Sequence, residues 1–266
     1  MIDLARQIRE LSVPTGSLGI FWLGQAGFVF KTSTGKIVYT DPYLTASVQQ
    51  ALPEYGSGFK RLMASLLEPE EVEADYVIST HAHADHFDTQ AVPVMARSPR
   101  PHFIGAPDCQ ELYGQAGVPG DRVTILHTGE RLDLDGFQLT GVYADHGELA
   151  PDALGLWFEF GGITVWQVGD SAYRPDRWQE QLGGGVDVLI PPINGAFGNL
   201  NEEEAARLAG AARAQVVIPC HFWTFPLHGG DPAKFLEACK QLAPGVQPML
   251  MAQGEGIVYQ HNPAKV

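Results

Sequence analysis

The sequence is short of cysteine and of positive charge, and it has no long apolar run. Each shortage excludes something. Three cysteines in 266 residues, Cys109, Cys220 and Cys239, are odd in number and scattered. They form no disulfide framework and fit a reducing compartment. The 17 basic residues are outnumbered by 31 acidic ones, for a net charge of −14, and no Lys/Arg cluster stands out against that excess. Such a surface repels nucleic acid and anionic membrane, so neither is expected as a partner. An anionic small molecule stays open as a ligand if a metal holds it. No stretch approaches membrane-spanning length, and Arg6 and Arg9 stand where a secretion signal needs an apolar core. A cytoplasmic location is expected. What remains, 45% hydrophobic and 18% charged residues, is an ordinary globular balance, read as one α/β domain over 1–266.

What the chain does have is Ser79-Thr80-His81-Ala82-His83-Ala84-Asp85-His86, three imidazoles and a carboxylate within six positions. They follow the apolar run Tyr76-Val77-Ile78, a buried strand by its length and β-propensity. The motif therefore leaves the carboxyl end of a strand, where open α/β sheets bind ligands. In an extended loop His81 and His83 face one side, while a bend into a helix from Asp88 carries Asp85 and His86 to a neighbouring point. Ala82 and Ala84 leave room beside them. Structural zinc sites are usually closed by cysteine, and none lies near this motif, so an open, reactive metal site is expected.

Short strands and helices alternate along the rest, which indicates a layered α/β architecture. A helix is expected over 2–11 and a short helical piece over 59–67. The runs Lys36–Thr40 and Ile163–Val168 each close an apolar hairpin that delivers an aspartate, Asp41 or Asp170, and this suggests two similar halves. Asn201 and Asp231 cap later helices, the second with Pro232 at its first position. A final strand pair is expected near 247–251 and 256–259. His146, Asp170 and His221 each follow an apolar strand. If those strand ends converge on the first motif, five histidines and two aspartates meet, enough for two metals sharing a carboxylate.

These residues carry a resemblance to the metallo-β-lactamase-fold hydrolases, a four-layer αββα sandwich. Within that superfamily the chain is most similar to the L-ascorbate-6-phosphate lactonase-like group. The resemblance rests on Trp22-Leu23-Gly24-Gln25-Ala26-Gly27, Asp41-Pro42-Tyr43, Thr80–His86, Gly169-Asp170-Ser171, Pro192-Ile193-Asn194-Gly195 and Val216–His221. It implies that His81, His83 and His146 hold one divalent ion and that Asp85, His86 and His221 hold another, with Asp170 bridging. Zinc or manganese is implied, with iron as a further option. A bridged hydroxide would then attack a lactone or related ester. Asp85 and Asp170 are the candidate catalytic carboxylates, Asp85 by orienting the nucleophile or passing a proton to the leaving group.

Around this set, Asp41 either orients a ligating imidazole or is a turn residue before Pro42. Asn194 and Tyr173 are candidate donors to a substrate oxyanion, and Arg174 a partner for phosphate or carboxylate, against the plainer reading of loop residues. His228 is a candidate substrate contact or else a surface histidine. Cys220 is expected to turn away from His221 into the core, and Trp22 and Gln25 to rim the site. His102, His127 and His261 have no partner by spacing. The alternatives to ester hydrolysis are phosphodiester cleavage of a nucleotide or phospholipid head group, iron-dependent redox chemistry and non-catalytic binding. Glutamate stands at the position of His83 in the diiron oxygen-reducing pattern, which counts against redox chemistry.

Overall fold

The computed structural model describes residues 3–261. In chain order the strands are β1 (Ser17–Gly24), β2 (Gly27–Thr32), β3 (Ile37–Thr40), β4 (Tyr76–Ser79), β5 (His102–Gly105), β6 (Val123–Ile125), β7 (Arg131–Leu134), β8 (Phe137–Tyr143), β9 (Leu154–Phe160), β10 (Ile163–Gln167), β11 (Val186–Ile190), β12 (Ala214–Val217), β13 (Gln247–Pro248) and β14 (Gly256–Gln260). They form two seven-stranded sheets, ordered β14-β1-β2-β3-β4-β5-β6 and β7-β8-β9-β10-β11-β12-β13. Read in those directions, each sheet has three antiparallel pairings followed by three parallel ones. The similarity of the two halves thus extends from one hairpin to a whole sheet. Helices flank the sheets, which is the αββα arrangement.

Burial explains the strand compositions. β3 and β11 are covered on both faces and read as near-continuous apolar runs, whereas β8 and β9 alternate because part of one face is less covered. The sheets meet through aromatic rings, with Phe30 5.3 Å from Phe158 and 5.5 Å from Phe160. Nearer the strand ends that carry the site, the contact becomes polar. Thr40 Oγ1 donates to Gln167 Oε1 at 2.7 Å, and Gln167 Nε2 donates to the Ala26 carbonyl at 2.9 Å. The Gln167 amide is thus paired at both its oxygen and its nitrogen, which ties the carboxyl end of β10 to that of β3 and to the turn before β2.

The capped helices form as their sequences predict, Glu202–Ala211 behind a reciprocal Asn201/Glu204 capping box and Pro232–Leu242 behind Asp231. The first helix spans Leu4–Glu10, and Ile2, counted in it by sequence, lies outside the described residues. Two expectations fail. No helix covers 59–67. A short helix, Ser47–Ala51, and a 3-10 stretch, Pro53–Phe59, come earlier, broken at Gly56 with φ of 56°. Beyond them Leu62 N donates to the Thr224 carbonyl, and the Arg61 guanidinium donates to the carbonyls of Tyr43, Thr45 and Met63. Tertiary bonds thus replace the helical ladder. Nor do the final strands pair with each other: β13 joins β12, and β14 crosses to the other sheet beside β1.

Candidate metal centre

Every residue of the metal set stands on a loop leaving the carboxyl end of a strand, and the sandwich brings those loops together. His81, His83, Asp85 and His86 follow β4, His146 follows β8, Asp170 follows β10 and His221 follows β12. The ligand atoms of His81, His83 and His146 lie within 4.8 Å of one another, as do those of His81, His86 and Asp170. Asp170 stands between the groups. Its Oδ1 is 3.4 Å from His86 Nε2 and 3.3 Å from His221 Nε2, and its Oδ2 is 3.7 Å from His146 Nε2. Asp85 Oδ2 lies 3.4 Å from His221 Nε2 and 3.6 Å from His86 Nε2.

Three backbone positions that aim these groups carry positive φ on non-glycine residues: Gln25 (51°), Asp41 (44°) and His221 (62°). Each costs on the order of 1 kcal/mol or more and persists only where surrounding bonds hold it. The bonds are present. The Gln25 carbonyl accepts from Trp22 Nε1 at 3.0 Å and from the His221 amide at 2.9 Å. Asp41, fully buried, accepts from the Thr80 amide at 2.8 Å, Thr80 Oγ1 at 2.9 Å and His86 Nδ1 at 2.9 Å.

That last bond tests whether the residues fit a cation. A carboxylate only accepts, so His86 Nδ1 carries the proton, and in the neutral ring Nε2 presents a lone pair. The lone pair faces two carboxylates and, at 3.2 Å, His221 Nε2. Acceptors opposing acceptors away from water repel unless a positive charge lies among them. The protonation preferences say the same. Burial works to lower the pKa of His86, but Asp170, Asp85 and Asp41 outweigh it and hold it well above the imidazole range. Burial likewise works to raise Asp85 and Asp170, yet the neighbouring imidazoles hold both well below the usual carboxylate range. His81 and His146, by contrast, are pushed down by burial and kept neutral, the form that ligates metal. The donor set fits divalent metal, and imidazole with carboxylate suits several first-row ions.

A cavity of about 450 Å³ opens above these groups. Ala82 and Ala84 line it, as does His228. His228 is no surface residue: it is buried, its ring stacks 4.8 Å from that of His221, and Phe59 and Phe225 meet it edge-on. It also offers a ligand atom near those of Asp85 and His221. The burying aromatics come from the 3-10 stretch and the loop after β12, a convergence that local sequence does not show. Gln25 sits deeper than a rim position, donating from Nε2 to Asp85 Oδ2 at 2.7 Å, with His221 Nε2 at 3.0 Å and His228 Nδ1 at 3.2 Å.

The other candidates lie off the cavity. Arg174 is paired with Asp145 and Asp176, and Tyr173 packs near Trp178. Asn194 is buried, and its amide reaches only the Ala196 carbonyl at 3.4 Å. Asn199, from the same loop and not singled out by sequence, lines the cavity instead and donates to Asp170 Oδ2 at 2.8 Å. Its one local signal is the Gly198-Asn199 pair after an active-face strand. Cys220 is buried as expected. His102 and His261 do find partners, Thr124 and Asp187.

Two mixed sheets flanked by helices, with a His-x-His-x-Asp-His loop at their strand ends, define a metallo-β-lactamase fold. The chain belongs to the beta-lactamase superfamily domain family, which matches residues 19–221. It is 26% identical over 262 residues to a UPF0173 metal-dependent hydrolase of Polynucleobacter asymbioticus, covering 92% of this chain and 87% of that one. It is 28% identical over 246 residues to another from Bacillus velezensis, covering 88% and 96%. Among solved structures it resembles Igni18, a metallo hydrolase of Ignicoccus hospitalis, with a TM-score of 0.72 at 22% identity over 92% of this chain and 100% of the other. Among the described residues no helix is long and apolar enough to cross a membrane.

Proposed function

We propose that this chain is a metal-dependent hydrolase of a small-molecule lactone or related ester, akin in its chemistry to the lactonase-like group it resembles. The observation that carries this reading is the meeting of five imidazoles and two carboxylates beneath one cavity, whose lining takes in His83, Asp85, His146, Asp170 and His221. Its hydrolase part is supported by the UPF0173 relatives, which are metal-dependent hydrolases. His81, His83 and His146 would hold one divalent ion and Asp85, His86 and His221 a second, with Asp170 shared; zinc or manganese suits the set. Bound there, such ions would supply a water of lowered pKa and a Lewis acid for the carbonyl.

The protein's own groups do the rest. Asp41 fixes the His86 tautomer so that Nε2 faces the centre. Asn199 ties down one oxygen of Asp170 and leaves the other towards His86 and His221. Asp85, which lines the cavity, would orient the attacking water or pass a proton to the leaving oxygen. Gln25 orients it for that role.

The test is hydrolysis by metal-free protein restored separately with manganese, zinc or iron. Substrates are a sugar-phosphate lactone, an acyl-homoserine lactone, a thioester and bis-p-nitrophenyl phosphate. Lactone or ester turnover that His83→Ala abolishes is expected. Turnover of the phosphodiester alone would replace this reading with a phosphodiesterase.

A further inference from the structure

The cavity wall speaks to the part of the substrate that does not react. Apart from the metal-site groups, the wall is chiefly apolar, with Val48, Leu52, Tyr55, Phe59, Leu149 and Phe197 as its larger members. Among the described residues that line it, none is lysine or arginine, and the one charged group outside the metal set is Glu54. Arg174, the sequence candidate, and Arg61, which follows Phe59 closely, are already engaged. Arg61 spends its donors on three backbone carbonyls and covers the Tyr43 ring at 4.4 Å, and Arg174 is held between Asp145 and Asp176. A phosphate carried away from the reacting carbonyl would therefore meet no cation there, and it would approach Glu54 across a molecule of net charge −14.

The mouth is apolar too. Tyr55, Leu149 and Phe197 are 49%, 56% and 41% exposed, a large water-facing share for such side chains. Phe197 lies 5.7 Å from Phe59 and 5.6 Å from the His228 ring, so the exposed aromatics continue into the buried ones as one surface. An apolar track leading from solvent to a polar floor suits a ligand with an apolar body and one reactive polar group. Its rim residues gain burial only when that body is present.

Resting on the hydrolase reading, we propose that the substrate is a neutral ester or lactone whose non-reacting part is aryl or medium-length alkyl, seated against Phe59, Phe197, Tyr55 and Leu52, and not a phosphorylated sugar. The wall then selects by apolar area, and the metal floor supplies the reaction.

The test uses the full chain loaded with manganese or zinc. Turnover is compared for 4-nitrophenyl acetate, hexanoate and phenylacetate, and for the phosphorylated lactone 6-phosphogluconolactone. Separately, binding of 4-phenylbutan-1-ol and of butan-1-ol, which cannot be hydrolysed, is followed by ligand-detected NMR titration. The longer and aryl esters are expected to exceed the acetate about tenfold or more in kcat/KM, and the phenyl alcohol to bind about tenfold or more tighter than butanol. Phe197→Ala and Tyr55→Ala, both at partly exposed positions, are each expected to reduce these ratios about threefold or more. Inert esters together with an intact preference for the phenyl alcohol would overturn the hydrolase reading and leave the wall's selectivity standing. Equal affinity for the two alcohols, or better turnover of 6-phosphogluconolactone than of the neutral compounds, would overturn this proposal.

Discussion

Asp41 acts on the centre through His86, whose Nδ1 proton it accepts. Asp41→Asn replaces that acceptor with an amide that need not present oxygen to the ring, and the ring is then free to turn or change tautomer. Metal affinity is expected to fall about 10–100-fold, the usual effect of losing such a partner, measured by chelator competition. His228 supports a pH prediction. Burial, with His221 adding, lowers its pKa to about 3 from 6.5. Between those values the unfolded chain takes up a proton that the folded protein refuses, so stability falls as pH drops through that window. In metal-free protein His228→Gln should flatten the pH dependence of unfolding there by up to about 1.4 kcal/mol per pH unit; an unchanged slope in denaturant titrations would contradict this. At this scale sequence reads well where chemistry is contiguous. His81 to His86 announce themselves. Gln25, expected only at the rim, and Asn199, not singled out, do not, because each reaches its carboxylate only through folding, across 60 and 29 positions.

At the scale of elements, the site depends on how sharply strands stop. Gly169 separates β10 from Asp170 with φ of 74°, and a Cβ there would collide with the Leu154 carbonyl of the neighbouring strand. Backbone cannot yield as a side-chain tip does. Gly169→Ala is therefore expected to cost about 3 kcal/mol or more in chemical denaturation, from the strained φ and the displaced strand together, and to weaken metal binding by shifting Asp170. Strand positions were legible because buried strands such as Val186–Ile190 are short apolar runs between breakers. Partnership was not. β13 and β14 read as neighbours in sequence, yet each completes a different sheet. The segment around Arg61 reads as helix in sequence yet is not one, because its Tyr43, Thr45 and Thr224 carbonyl partners lie outside any local window.

For the molecule as a whole, metal is part of stability. Donors that repel in its absence hold an ion that the unfolded chain cannot, so chelation should lower the melting temperature and re-addition restore it. A free ion concentration of 100 times Kd corresponds to about 2.7 kcal/mol. The cysteines offer a second global readout. All three are buried, and burial raises each thiol, Cys239 to about 11 and Cys109 and Cys220 well above the ordinary thiol range. Iodoacetamide at neutral pH should leave the native protein unmodified and label all three thiols once it is denatured; rapid native labelling would show that the core opens.

The pairing of β14 with β1 also sets an order of events at the ribosome. The first sheet can align six strands once residue 125 has emerged, but its outer edge at Ser17–Phe21 lacks its partner until residues 256–260 are made. Through the synthesis of the entire second half, that edge presents unpaired backbone to whatever is near, which is where nascent chains pair wrongly. Among the described strands, the one translated last seals the one translated first.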